Sequence, residues 1–198
     1  MKNLETPAVK LAVYGAQSAV GNALMAEALA RQFETTLVLD DLNAVAARPG
    51  LSTTQGSLHD AISVSQSIAG KNAVVAVLTA QGGDFKDTFS AVTALLDGLP
   101  VAGVKRLLLV GDFAWLDRLD DSSPQPLKHL QERLVSSPVV WTLLDAPATD
   151  APAALLGGFA STVIDEVCHA QNMHQRIRVR SEPSVALTSN EVDVLPQP

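Results

Sequence analysis

The sequence is poor in cysteine, aromatic residues and basic clusters, and each shortage excludes a class of protein. Cys168 is the one cysteine, so the chain forms neither an internal disulfide bond nor a cysteine-rich zinc site. With 14 basic against 21 acidic residues, the formal charge is −7, which is unfavourable for nucleic-acid binding. Aromatic residues make up only 4% of the 198 residues. The core must therefore consist of Ala, Val and Leu, which suits a buried parallel sheet under helices.

The sequence also lacks a long hydrophobic run. The first ten residues carry Lys2, Glu5 and Lys10 and contain no apolar stretch of the signal-peptide type. The uncharged stretch Ala151–Ile164 is too short to span a bilayer. We therefore expect a soluble, cytoplasmic protein with neither a membrane nor a nucleic acid among its partners. The four histidines are scattered, so no metal site is predicted.

What the sequence does have is an alternation of β-type runs and helical stretches. The runs predict strands at Lys10–Gly15, Thr35–Asp40, Leu51–Gln55, Asn72–Leu78, Lys105–Gly111, Val139–Leu144 and Arg176–Arg180. The stretches predict helices at Ala19–Gln32, His59–Ala69, Asp84–Leu99, Leu127–Val135 and Ala153–Asn172. This alternation indicates an α/β fold with a parallel sheet of six or seven strands flanked by helices. With right-handed crossovers, the sheet is doubly wound.

The chain contains no internal repeat and no linker before its last residues. We therefore expect a single domain over residues 1–181. From Glu182 onward the sequence is polar and contains three prolines. Residues 182–198 are expected to form an extended or loosely held C-terminal tail.

The turn after the first predicted strand is glycine-rich and runs from Gly15 to Gly21. In doubly wound sheets, ligands bind at the carboxyl ends of the strands. Gly15 permits a tight turn, and Gly21 permits close packing of the helix on the strand. The N–H groups around Ala19 and Val20 would face a pyrophosphate. The turn predicts a dinucleotide site, and the alternative is an inherited turn that no longer binds, because a glycine motif alone is weak evidence.

This turn resembles the Gly-x-x-Gly-x-x-Gly turn of atypical and extended short-chain dehydrogenases, and in particular the NmrA-like, NAD(P)H-binding small Rossmann proteins. Further similar segments follow in the same order, at Gln55–Leu58, Val101–Arg106 and Val140–Leu144. The resemblance covers Lys10–Pro147 and implies a Rossmann-like NAD(P)-binding domain. The residues expected to bind the cofactor are Gly15, Gln17, Ser18, Ala19, Val20, Gly21, Asp40, Ser57, Leu58, Leu78 and Thr79.

The sequence departs from the pattern of these relatives at the positions that carry chemistry. Ser18 replaces the middle glycine, so its Cβ crowds the phosphate, although its hydroxyl could donate a hydrogen bond instead. Ser57 replaces the usual Asp, and Asp145 replaces the usual Arg. The segment Asp112–Trp115 replaces a glycine-rich segment after the fifth strand.

The expected nucleotide follows from the end of the second strand. Asp40 lies 19 residues after Gly21, where an acidic residue typically binds the ribose 2′-hydroxyl. Asp41 follows, and two carboxylates would repel a 2′-phosphate. We therefore expect NAD(H) rather than NADP(H), or no cofactor if the site is degenerate. Alternatively, Asp40 caps the start of the next helix.

The catalytic pair of the classical short-chain dehydrogenases is absent. Those enzymes use a Tyr-x-x-x-Lys pair, but the single tyrosine, Tyr14, lies inside the first predicted strand. Lys128 falls near the position of the Lys, with Pro124 four residues upstream. Asp112, at the end of the fifth strand, is a candidate acid or base, and Lys128 is a candidate contact to ribose or phosphate. The alternatives are that Asp112 caps a turn and that Lys128 is a solvated surface residue.

Two hypotheses for the function follow. The first is an NAD(P)-dependent oxidoreductase that acts on a small carbonyl or quinone-like substrate without the Tyr-x-x-x-Lys pair. The second is a non-enzymatic Rossmann relative, a regulatory or assembly protein with a degenerate nucleotide site. The uncharged helix at Ala153–Ile164 further predicts a homodimer, with Leu155, Leu156, Phe159 and Val163 shared between the sheet and a partner.

Overall fold

The structure is a computed structural model that describes residues 8–45, 48–78, 85–120, 122–148 and 150–178. Its strands are β1 (Lys10–Tyr14), β2 (Glu34–Leu39), β3 (Leu51–Gln55), β4 (Ala73–Val77), β5 (Arg106–Gly111), β6 (Val140–Asp145) and β7 (Gln175–Ile177). Its α-helices are α1 (Ala19–Ala30), α2 (Ala61–Ser67), α3 (Phe85–Val101), α4 (Gln125–Ser136) and α5 (Ala153–His169). Two short 3₁₀ helices, which the sequence analysis did not predict, lie at Leu42–Ala44 and Ala114–Arg118.

The seven strands form one sheet in the order β3-β2-β1-β4-β5-β6-β7, and every neighbouring pair is parallel. This arrangement confirms the doubly wound, Rossmann-like α/β fold predicted from the alternating pattern. The strand order reverses between β1 and β4, so the carboxyl ends of these two strands flank the topological switch point. Gly15 directly follows β1 there, and Leu78 directly follows β4.

Helices cover both faces of the sheet. Leu11 and Val13 of β1 pack with α1 and α5 on one face, whereas Ala12 and Tyr14 pack with α2, α3 and α4 on the other. Strand β4 is buried along its whole length, which explains its uninterrupted apolar sequence. The step from β6 to β7 runs in the same direction as the step from β4 to β5, yet its helix α5 lies beside α1. The last crossover therefore has the opposite hand to the others, which differs from the sequence-based expectation.

Several helix ends differ from their predicted positions because of local capping. Helix α2 begins at Ala61 rather than His59, since the Asp60 side chain accepts hydrogen bonds from the N–H groups of Ile62 and Ser63. Helix α5 ends at His169 rather than Asn172, because Ala170 adopts the left-handed conformation at φ 45°. Helix α3 continues to Val101 through Pro100, and β7 ends at Ile177. None of the described helices combines the length and apolar character needed to cross a membrane.

Candidate functional site

The turn between β1 and α1 is closed so tightly that its two terminal glycines admit no side chain. Gly15 has a φ of 72°, and a Cβ on it would lie 2.4 Å from the carbonyl oxygen of Val77. A Cβ on Gly21 would lie 2.2 Å from the carbonyl oxygen of Gly15. The first turn of α1 is thereby held against β1 at the switch point. Ala16 is buried under this turn, and Gln17 is exposed.

Ser18 acts as the N-terminal cap of α1. Its Oγ donates a hydrogen bond to the carbonyl oxygen of Gly15 at 2.9 Å and accepts one from the N–H of Gly21 at 3.0 Å. The hydroxyl proton is therefore engaged within the turn, whereas sequence reasoning considered it as a donor to a phosphate. The N–H groups of Ala19 and Val20 belong to the first turn of the helix, where no carbonyl lies one turn earlier to accept them. They are the donors that the turn offers to an anion.

The two acidic residues after β2 have different surroundings. Asp40 is exposed directly beyond the strand end, and its carbonyl oxygen accepts a hydrogen bond from Gln55 Nε2 at 3.2 Å. Asp41 caps the 3₁₀ helix by accepting from the N–H of Asn43 at 2.9 Å. The alternative interpretation of Asp40 as a helix cap is therefore wrong, since its neighbour has that role. The Asp40 carboxylate lies at the sheet edge that also carries Gly15.

Residues after β3 and β4 line a small cavity beside this edge. Its volume is about 200 Å³, and its walls are Leu58, His59, Val77, Leu78, Asp87, Thr88 and Ala91. Leu58 and Leu78, both predicted as cofactor contacts, are thus brought together. Ser57 is engaged locally: its N–H donates to Ser63 Oγ at 2.8 Å, and its own Oγ accepts from the N–H of His59. Thr79, the remaining predicted contact, lies outside the described residues.

The two candidate catalytic residues lie after β5 and on α4. Asp112 is exposed, and its Oδ1 accepts a hydrogen bond from the N–H of Ala114 at 2.9 Å. The carboxylate therefore closes a turn just before the 3₁₀ helix Ala114–Arg118, whose N-cap residue is Phe113, as one of the two interpretations held. Lys128 is half-buried in the first turns of α4. Pro124, four residues before Lys128, is the N-cap residue of α4 and stands where classical short-chain dehydrogenases would have the tyrosine.

Tyr14 ends β1 directly before the glycine turn, but its side chain belongs to the core. Its side chain is buried between the sheet and α2, and its hydroxyl lies 2.9 Å from Ser67 Oγ. Burial raises the pKa of this phenol above its usual value, and the hydrogen bond with Ser67 opposes that rise. Tyr14 is thus a structural residue, in agreement with the sequence-based exclusion of a Tyr-Lys mechanism.

An ion-pair network at the carboxyl ends of β6 and β7 was not predicted from the sequence. Arg176 Nε lies 2.9 and 3.0 Å from the two carboxylate oxygens of Asp145, and its Nη2 lies 2.7 Å from Asp145 Oδ2. Arg176 Nη1 also contacts Asp117 at 2.8 Å, and Arg178 contacts the same carboxylate. The network ties the 3₁₀ helix after β5 to the last two strands. The sequence signal for this network was an acidic residue at the end of the sixth strand together with arginines in the seventh.

The described ranges contain no group of three or more His, Cys, Asp or Glu side chains arranged to hold a metal ion.

Comparison with known proteins agrees with this geometry. A sequence model of the NAD(P)H-binding family matches residues 15–148, more than half of the chain. No curated protein matches the sequence. The fold is similar to that of the oxidoreductase YlbE from Lactococcus lactis, with a TM-score of 0.68 and 14% identity over 86% of this chain and 90% of that one.

Two further solved structures of similar fold contain a nucleotide. The Bordetella bronchiseptica enzyme WbmH in complex with NAD+ has a TM-score of 0.63 at 14% identity, over 87% of this chain and 76% of that one. A short-chain dehydrogenase/reductase of the wide type from Veillonella parvula, in complex with NADP, has a TM-score of 0.59 at 15% identity. That match covers 86% of this chain and 93% of the other. At identities this low, the structural similarity establishes a common fold alone.

A parallel seven-stranded sheet with a glycine turn at its switch point is the architecture of the dinucleotide-binding Rossmann proteins. Within that class, the chain belongs to the NAD(P)H-binding family. The resemblance to atypical short-chain dehydrogenases and NmrA-like proteins is consistent with this family.

Proposed function

We propose that the protein is an oxidoreductase that uses NAD(H) in preference to NADP(H) and acts on a small carbonyl or quinone-like substrate. The observation that carries this proposal is the intact turn between β1 and α1. Side chains are excluded at Gly15 and Gly21, and Ser18 caps the helix from within the turn. The backbone there keeps the close approach and the N–H donors that a pyrophosphate requires.

The residues present fit a dinucleotide. The N–H groups of Ala19 and Val20 would hold its pyrophosphate, and the Asp40 carboxylate would accept hydrogen bonds from the adenosine ribose. Leu58 and Leu78 supply apolar walls in the cavity beside that edge. When bound, the nicotinamide supplies the hydride or accepts it, and the protein orients the reactants.

Discrimination between the two nucleotides would depend on charge. Asp40 and Asp41 are both exposed at the end of β2, and a 2′-phosphate placed there would face two carboxylates. A ribose hydroxyl can instead donate to Asp40. Because Asp41 already accepts the N–H and the side-chain amide of Asn43, Asp40 is the carboxylate that would contact the ribose.

Proton transfer would fall to the residues after β5. Asp112 is exposed next to the 3₁₀ helix and is the candidate acid or base. Lys128, in the first turns of α4, would contact the ribose or a phosphate. With Pro124 in the position of the tyrosine, the substrate oxygen needs another hydrogen-bond donor.

The test is a titration of the protein with NADH and NADPH, followed by nucleotide fluorescence. We expect NADH to bind more tightly and Asp40→Ala to narrow the difference, because the ribose loses its acceptor and the 2′-phosphate loses a repelling charge. Asp41→Ala is the matched control and should leave most of the preference in place. Tighter binding of NADPH to the unaltered protein would contradict the nucleotide assignment.

A second variant locates the site. Ser18→Leu places a branched side chain where the phosphates would lie and should abolish NADH binding, whereas Ser18→Gly should retain it. Thermal denaturation of both variants separates loss of binding from loss of folding. Binding that survives Ser18→Leu would place the nucleotide elsewhere.

The alternative is a non-enzymatic regulatory or assembly protein, and the observation that favours it is Pro124 at the start of α4. An assay of NADH oxidation distinguishes the two functions. NADH binding without NADH oxidation across a panel of carbonyl and quinone compounds would favour the alternative.

A further inference from the structure

Trp115 has a buried hydrogen-bond donor without a partner. It lies in the 3₁₀ helix Ala114–Arg118, and its Nε1 is the indole nitrogen that finds no acceptor. Buried indole N–H groups nearly always have an acceptor. Trp141 shows the usual arrangement, because its Nε1 donates to the carbonyl oxygen of Leu134 at 2.7 Å. The unpaired donor at Trp115 therefore calls for an explanation.

The position of Trp115 provides one. Trp115 is one of the residues that line a cavity of about 380 Å³ at the carboxyl end of β5, together with Asp112, Ala114, Arg118, Leu119, Ser123, Pro124 and Leu127. This cavity contains the candidate acid or base and the residue that replaces the tyrosine. On its other side, the Trp115 ring meets Phe85 edge-on, with centroids 6.0 Å apart and planes at 78°.

The segment that carries Trp115 is held in place from both ends. Before its start, the Asp112 carboxylate accepts a hydrogen bond from the N–H of Ala114. Near its end, Asp117 is bound by Arg176, which is itself paired with Asp145. These contacts fix the backbone that carries the indole.

We propose that Trp115 determines substrate specificity by donating its indole N–H to the carbonyl oxygen of a planar, conjugated carbonyl or quinone in this cavity. The proposal deepens the oxidoreductase function and rests on it. A neutral carbonyl oxygen can accept this hydrogen bond, so the ligand does not have to carry a charge. The walls formed by Trp115, Pro124 and Leu127 favour a flat, apolar body around it. Since the nitrogen is covered in the unliganded protein, the ring turns as the substrate enters.

The experiment measures binding of the naphthoquinone menadione by calorimetry in the absence of nucleotide. Trp115→Phe keeps an aromatic ring and removes the N–H. We expect it to weaken menadione binding roughly tenfold, as the loss of one hydrogen bond does. NADH affinity should stay unchanged, and any turnover should show a raised KM with a smaller change in kcat.

Trp141→Phe is the matched control, because it removes the other indole N–H of the chain at a residue that does not line this cavity. It should leave menadione affinity unchanged, with folding checked by thermal denaturation. The inference is overturned if the unaltered protein does not bind menadione, or if Trp115→Phe binds it as tightly. Failure of the proposed function looks different, since NADH binding or NADH oxidation would then be absent in the unaltered protein.

Discussion

The ionisation of Tyr14 can be followed without interference, because it is the one tyrosine of the chain. Burial raises the pKa of its phenol, and the hydrogen bond with Ser67 opposes the rise. Since the folded pKa exceeds the unfolded value, this group destabilises the fold only above about pH 10, where the unfolded chain loses its proton first. An ultraviolet titration of the phenolate should show a midpoint above that of free tyrosine.

A matched variant tests the cause. Ser67→Ala removes the partner that opposes the rise, so the midpoint should move still higher while the protein stays folded. A midpoint equal to that of free tyrosine in the native protein would show that the hydroxyl is solvated, contrary to the buried position of Tyr14.

At the same scale, the sequence predicted which residues surround the turn, but not how their hydrogen bonds are used. Gly15 and Gly21 have the geometric roles that their spacing indicated. The Ser18 hydroxyl, by contrast, is turned inward to the Gly15 carbonyl. That choice depends on the approach of α1 to β1, which no local pattern encodes.

Between elements, a buried ion pair joins the start of β5 to the end of α5. Arg106 Nη2 lies 2.7 Å from Glu166 Oε1, and Arg106 Nη1 donates to Thr142 Oγ1 at 2.8 Å. The Glu166 carboxylate also accepts two hydrogen bonds from Asn172, which leads into β7. Burial lowers the pKa of Arg106, and the Glu166 charge opposes this shift. The network therefore fixes the last crossover to the sheet.

We predict that Glu166→Ala lowers the free energy of unfolding by about 3–5 kcal/mol, because it leaves the Arg106 charge buried without a partner. Replacing both residues by Leu should cost much less than the single change. Asp97→Ala breaks the exposed pair with Arg133 and serves as the control, with an expected effect below about 1 kcal/mol. Urea denaturation measures all three. If Glu166→Ala lowers the free energy of unfolding no more than the control does, the Arg106–Glu166 pair is solvated.

Elements were predictable from the sequence in type and order, and less so in their ends. The apolar runs located β1, β2, β4, β5 and β6 because burial on both faces leaves little choice of residue. The edge strands β3 and β7 are more exposed and less apolar. The ends of α2 and α5 depend on the Asp60 cap and on the left-handed Ala170, which are single-residue conformations. The opposite hand of the last crossover depends on the packing of α5 beside α1, to which Arg31 contributes by bonding Ser161.

At the scale of the whole molecule, the outer face of α5 determines whether two chains can associate through this helix. Phe159 and Val163, which the sequence suggested were shared with a partner, are buried against the sheet. Leu155 and Leu156 are half-buried. In the first half of the helix the exposed residues are small, namely Ala153, Ala154, Gly157 and Gly158, whereas the second half exposes Asp165, Cys168 and His169. The homodimer stays a prediction in which this small-residue face, rather than the large apolar side chains, would meet the partner.

A second α5 can approach such a face closely, because a Cβ added at Gly157 or Gly158 meets no atom within 4 Å. We therefore predict a homodimer in sedimentation or light scattering at micromolar concentration. Gly157→Glu should convert the dimer to a monomer without unfolding the chain. The new side chain has open space around it in a single chain, but it would have no room at the interface between two chains. Gln131→Glu on the exposed surface of α4 adds the same charge elsewhere and should leave the dimer intact. A mass near 20.8 kDa for the unaltered protein contradicts the dimer. The face would then be solvated, and Gly157→Ala would stabilise the single chain by about 0.5–1 kcal/mol through helix propensity alone.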